Sequence, residues 1–251
     1  MVMQVWRATQ LFLAIATASL MAPPAWGGAS VPGAGHAPRD RYAQRLAESS
    51  VCIARSFMAP KDSVPIYCSR AERILLEIEP AGPDDPDLLV RLGIVNGRLA
   101  EFCSKGEKVE RVRRMERYCR EAIAQDSTAS DAYLLLGTLH YRLCRLSWLE
   151  RMLAKAFVGE LPDASLEEAE AFLRRAIELE GGSPVSLYVL GRTLDAQDRL
   201  QEAIDCLEAC LELEPANPLE VHYQQEATIH LPELEREWMA TEEPWNVIDG
   251  Y

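Results

Sequence analysis

Beyond residue 40 the apolar residues recur every three to four positions, and glycine, proline and strand-type alternation are nearly absent from the interiors of the segments. That period predicts helices, so the fold class read from the pattern is all-α. The clearest stretch runs from Pro184 to Pro215. Leu187, Leu190, Gly191 and Leu194 mark a first helix, Ala203, Leu207 and Cys210 a second, and Pro215 closes the unit. The small residues Gly191, Ala203 and Cys210 let two helices approach closely, while the larger ones fill the gaps between them.

The same pattern recurs upstream. Tyr133, Leu136 and Gly137 repeat the first helix, and Ala169, Leu173 and Ala176 lie 34 residues before Ala203, Leu207 and Cys210. Gly137 lies 54 residues before Gly191, so this unit carries a 20-residue insertion between its helices, from about Leu146 to Ser165. Earlier, Leu89, Leu92, Gly93 and Ala122 repeat the pattern with a ten-residue excess placed around Phe102 to Val109, where Lys105-Gly106 suggests a loop. Tyr42 to Phe57 and Ile74 to Pro80 form a degenerate first unit, and Leu219 to Met239, after Asn217-Pro218, a polar-faced last helix. In the clearest unit the residues fall at the tetratricopeptide (TPR) positions of a unit of about 34 residues. The expected architecture is a TPR-like helical-hairpin solenoid of about three to four units spanning residues 41–240, with an inserted helix and a C-terminal capping helix that seals the stack.

The ends read differently. Arg7, the apolar run Leu11 to Ala22, Pro23-Pro24 and Ala25-Trp26-Gly27 make residues 1–27 a secretory signal, with an uncleaved anchor as the alternative. Residues 28–40 read as a flexible leader and 241–251 as an aromatic tail. The expected location is therefore exported, periplasmic or envelope-associated, with no stable membrane span in the mature chain. The net charge of −13 becomes −14 once Arg7 is removed, which disfavours nucleic acid and anionic membrane. Seven cysteines lie in the mature region; Cys52 with Cys68 and Cys103 with Cys119 are each 16 residues apart, placed for hairpin disulfides, or else all are small buried apolar residues.

The insertion is the most specific stretch. Trp148, Leu149, Met152, Leu153, Lys155 and Phe157 sit at helical spacing, Leu161-Pro162-Asp163 breaks the helix, and Ser165 with Glu168 has capping-box spacing. Ser147-Trp148-Leu149, Leu161-Pro162, Ser165 and Glu167-Glu168-Ala169 together resemble the TPR-like family called regulators of microtubule dynamics, well across 131–213 and back to Asp87. The resemblance implies an all-helical TPR-like fold and a non-enzymatic, interaction-based role; eukaryotic members are associated with microtubules and organelle contacts. The acidic charge and the export signal point instead to a bacterial, signal-bearing relative.

In such a stack the first helices line a concave face. Its candidate groove residues are Arg98, Tyr141, Arg142, Tyr188, Arg192 and Asp195, an aromatic and cationic set for a peptide. Val90, Ile94, Leu134 and Thr138 occupy neighbouring groove positions, so the Lys/Asn pattern of a carboxylate clamp is absent. Gly93, Gly137, Ala169, Ala176, Gly191, Ala203 and Cys210 are the expected packing residues. Lys105 to Arg120 forms a basic run, read as a solvated face with internal Glu–Arg pairs. His140 with Cys144, and Cys206 with Cys210, have half the spacing of a zinc site without a complementary pair, and no catalytic fingerprint appears. The expectation is no enzyme, no metal and no cofactor. The expected role is an adaptor or scaffold for an unidentified protein partner, with a homo-oligomer as a further option. The alternatives are an accessory subunit of an envelope solute-transport system, or a microtubule-associated regulator.

Overall fold

A computed structural model describes residues 38–148, 151–152 and 161–242. Every regular element among them is helical. They are α1 (Pro38–Met58), α2 (Val64–Ile78), α3 (Pro86–Ala100), α4 (Lys105–Gln125), α5 (Ser130–Cys144), α6 (Leu166–Glu180), α7 (Pro184–Asp195), α8 (Leu200–Glu212) and α9 (Pro218–Glu242). Short 3-10 turns follow α1 and α2. None of the described helices is long and apolar enough to cross a membrane. The expected signal segment, the C-terminal tail after Glu242 and most of the inserted helix lie outside the described residues. Helix α1 begins at Pro38, inside the span 28–40 expected as a leader.

The helices belong to two compact units. The first holds α1 to α4 and the start of α5 as far as Leu136. Here α2 packs on α1, α3 on α2, and α4 on α3. Helix α3 is apolar almost all round, as a fully enclosed helix must be, and Leu88 to Ala100 is buried except for Arg91. Its one amide, Asn96, is satisfied: Nδ2 donates to the Leu92 carbonyl at 2.8 Å and Oδ1 accepts from Arg111 at 3.0 Å. Arg111 also pairs with Glu72, so one guanidinium joins α2, α3 and α4. At the start of α3, Tyr42 of α1 donates to Asp85 at 2.7 Å, and Asp85 caps α3 by accepting from the Asp87 amide at 2.9 Å.

The second unit holds α5 from Gly137 onward with α6 to α9. Helix α7 is its hub, packing on α6, α8 and α9. Ser165 caps α6, accepting from the Glu168 amide at 3.1 Å as the sequence predicts, and Gly181 ends that helix with φ +82°. Ser183 caps α7 through Ser186 in the same way, with Pro184 at the first helical position.

One contact recurs three times. A Cβ added to Gly191 would lie 3.0 Å from Leu207 Cδ2 and 3.2 Å from the Ala203 carbonyl; one on Gly137 would lie 2.6 Å from Leu173 Cγ and 3.1 Å from the Ala169 carbonyl. At Gly93 the facing atom is Cys119 Sγ, at 3.0 Å, with the Met115 carbonyl at 3.8 Å. Met115 and Cys119 are thus the α4 counterparts of Ala203 and Leu207. Ala176, Ala203 and Cys210 are fully buried, as packing positions must be.

The ten-residue excess is not a loop. Lys105 and Gly106 lie in the first turn of α4, and the excess lengthens that helix to 21 residues against 15 in α6 and 13 in α8. The local reason is a capping box: the Glu107 carboxylate accepts from the Ser104 amide at 3.2 Å and from its hydroxyl at 2.8 Å. Serine three residues before glutamate starts a helix, and one glycine in the first turn does not stop it.

None of the seven cysteines is in a disulfide in the structure, so neither expected hairpin bridge is present. Cys52, Cys68, Cys119 and Cys210 are buried. Burial pushes the Cys206 thiol up to about 11 and the Cys210 thiol up to about 12, leaving both protonated at neutral pH. Cys210 instead donates to the Pro184 carbonyl at 3.2 Å.

Candidate functional site

The second unit gathers an aromatic and charged cluster from α5, α7 and α9. Tyr188 lies at its centre. Its hydroxyl is 2.9 Å from His230 Nδ1, and its ring stands 5.2 Å from the Tyr223 ring and 5.8 Å from the His230 ring. Tyr188 and Arg192 are one turn apart on α7, a spacing that puts both on one helix face. Arg192 pairs with Asp195 at 3.3 Å, and the Tyr141 side chain of α5 lies near its guanidinium. On α9, Tyr223 and His230 are seven residues apart, two turns along the same face.

Four of the six sequence-predicted groove residues therefore meet: Tyr141, Tyr188, Arg192 and Asp195. All four are half-buried, and so is Arg142 beside them in sequence. Arg98 is different. It lies in the first unit, 8% exposed, with its guanidinium 4.5 Å over the Phe57 ring and 2.9 Å from the Ser56 carbonyl it donates to. The neighbouring groove positions Val90, Ile94, Leu134 and Thr138 are buried too. Being apolar or small, they join the core instead of lining an open face. Whether the inserted helix covers the groove falls outside the described residues; at its near end Trp148 and Met152 are exposed.

Tyr223 and His230 lie on α9, which the sequence pattern marks only as a capping helix. The available signal was the pair of ring side chains at seven-residue spacing on the helix that follows α7.

Burial shapes the electrostatics. It pushes the Tyr188 phenol up, so this group stays neutral. It also holds the His230 imidazole below its ordinary 6.5, helped by the Arg192 charge, while Glu226, Glu233 and Asp195 act in the opposite direction. At neutral pH His230 is therefore a neutral ring that shares its Nδ1 hydrogen bond with the Tyr188 hydroxyl. The unfolded chain binds a proton on this residue more readily than the folded one. This contribution to stability is accordingly full above the ordinary histidine value and is lost as the pH falls toward the folded value. An imidazole titration followed by NMR should place His230 below 6.5, and a midpoint at or above that value would contradict the assignment.

Elsewhere the potential ligands are occupied. His140 is 1% exposed, with Nδ1 3.3 Å from Glu168 and its ring 5.3 Å edge-on to Phe172. Among the described residues no three His, Cys, Asp or Glu side chains converge as a metal site. The basic run on α4 carries internal ion pairs, Arg114 with Glu110 at 3.0 Å and Arg120 with Glu116 at 2.9 Å.

No curated protein matches the chain. A family model described as Regulator of microtubule dynamics protein 1-3 matches residues 41–235, well over half of the sequence.

Proposed function

The chain thus belongs to the regulator of microtubule dynamics protein 1-3 family, and from that premise we propose that it is a non-enzymatic adaptor built as a TPR-like helical-hairpin solenoid. It holds a partner protein on the half-buried face formed by Tyr141, Tyr188, Arg192 and His230. One observation carries this reading: Tyr188, Tyr223 and His230 already hold one another in place, and Asp195 fixes the Arg192 guanidinium one turn away on α7 before any partner arrives. Rigid tyrosines and an arginine present contact area at little further cost in side-chain entropy, which is what interface anchors require. The threefold glycine contact supports the hairpin repeat, since it places corresponding residues of successive helix pairs in the same close approach.

The export signal read in residues 1–27 puts the adaptor in the cell envelope. The microtubule role carried by the family name is the weaker reading, because a chain of net charge −13 meets the acidic tails of tubulin with repulsion. Envelope crosslinking followed by co-purification tests the proposal. Tyr188→Ala and Arg192→Ala should each lower partner recovery at least tenfold while the helical circular dichroism stays unchanged. Full recovery with both variants would reject this face as the binding surface.

A further inference from the structure

Charge is distributed unevenly along this acidic chain. Helix α4 carries seven basic side chains against four acidic ones, a net +3, which leaves −16 for the remainder. Arg113, Arg117 and Arg120 lie on one face of α4 and all three are exposed, Arg117 at 59% and Arg120 at 50%. They line a shallow recess of about 430 Å³ with Glu116, Glu121 and Ala124. Helix α8 is the opposite case, with four acidic side chains and no basic one. Its exposed residues Asp205, Glu208 and Glu212 form a row. Among the described residues no basic side chain pairs with Glu208 or Glu212, and Asp205 accepts only from the Gln201 amide, at 2.8 Å.

The two rows match in register. Arginines separated by four and then three residues face carboxylates separated by four and then three when the helices run antiparallel. Arg113 then meets Glu212, Arg117 meets Glu208 and Arg120 meets Asp205. Both rows span seven residues, about 10 Å of helix. We propose that α4 of one molecule docks on α8 of a second copy, giving head-to-tail self-association. The occupant is a second copy because this chain itself carries the complementary row, exposed and unneutralised, at the same concentration as the basic one. Arg117 and Arg120 already touch Glu121 at 3.7 Å and Glu116 at 2.9 Å, so the contact shares these guanidinium groups and does not recruit idle ones. Exposed ion pairs are individually weak and screened by salt, so the association is weak and ionic-strength dependent. The contact is heterologous, which allows open chains or closed rings.

Charge reversal tests the pairing directly on the full mature chain. Sedimentation velocity of the wild type should show association in 20 mM salt, weakened at least tenfold in 300 mM. A variant with Arg113→Glu, Arg117→Glu and Arg120→Glu should be monomeric. So should a second variant with Asp205→Lys, Glu208→Lys and Glu212→Lys. Mixing the two should restore association, because each reversed row then faces its complement. All six positions are on the surface, and unchanged thermal melts confirm that the variants fold. A wild type that stays monomeric at low salt, variants that associate as well as it does, or a mixture that fails to re-associate would each overturn the pairing. An α4 row that serves a different acidic protein gives the first of these results.

Discussion

Gly137→Ala should destabilise the second unit by about 2 kcal/mol, although alanine in a helix interior is ordinarily better than glycine by about 1 kcal/mol. The added Cβ would come within 2.6 Å of Leu173 Cγ and 3.1 Å of the Ala169 carbonyl, and Leu173 is fully buried. A backbone oxygen does not move aside, and a packed leucine moves only by disturbing its neighbours; overpacking of this kind costs about 1–3 kcal/mol. Leu173→Ala alone should also destabilise, by about 2–5 kcal/mol, through the cavity it leaves. The two together should be far from additive, since the alanine at 137 then occupies space the leucine vacated. Gly106→Ala is the control: nothing lies within 4 Å of its added Cβ, so its denaturation midpoint should stay put or rise slightly. Additive losses at 137 and 173 in urea unfolding would show that the glycine contact does not set the helix spacing.

The second large effect concerns the seat of α9. Asn217 caps this helix with Oδ1 accepting from the Leu219 amide at 3.0 Å and the Glu220 amide at 3.1 Å, while its Nδ2 donates to Glu220 at 2.8 Å. The other Glu220 oxygen accepts from the Ala216 amide at 2.6 Å. Asn217 is 5% exposed and Glu220 only 2%, so water cannot replace what Asn217→Ala removes. Loss of a cap costs about 1 kcal/mol, and leaving buried amides and a carboxylate short of a partner adds about 1–3 kcal/mol. The combined loss should be about 3 kcal/mol, with α9 amides exchanging faster than those of α7. Because Tyr223 and His230 sit on α9, the same variant should weaken partner capture. A midpoint shift below about 0.5 kcal/mol would mean that the cap is redundant.

The helices were legible from their period, and some carry a local start signal as well. Ser165 before Glu168 acts within a few residues and appears in the structure as read, and Asn217 caps the last helix in the same local way. The α4 start is equally local, in Ser104 and Glu107, while Lys105-Gly106 taken alone suggests a loop there. The site was only half legible. Tyr141, Tyr188, Arg192 and Asp195 follow from helix positions, which a repeat fixes. The burial of Arg98 depends on Phe57 and Ser56, more than 40 residues away in sequence, and no periodicity encodes that contact. His230 was hidden for a related reason: its role comes from a hydrogen bond to Tyr188, 42 residues earlier, and not from its own helix pattern.

The most direct test of the adaptor assignment is photocrosslinking from the centre of the cluster. A photoreactive phenylalanine in place of Tyr188, with the same residue in place of the 59% exposed Ile229 as a surface control, should be expressed in the source cell. Position 188 should give one dominant protein adduct that disappears when Arg192→Glu is added, and position 229 should not give it. Identical adducts from both positions, or an adduct at 188 that is indifferent to Arg192, would contradict a partner held by this face.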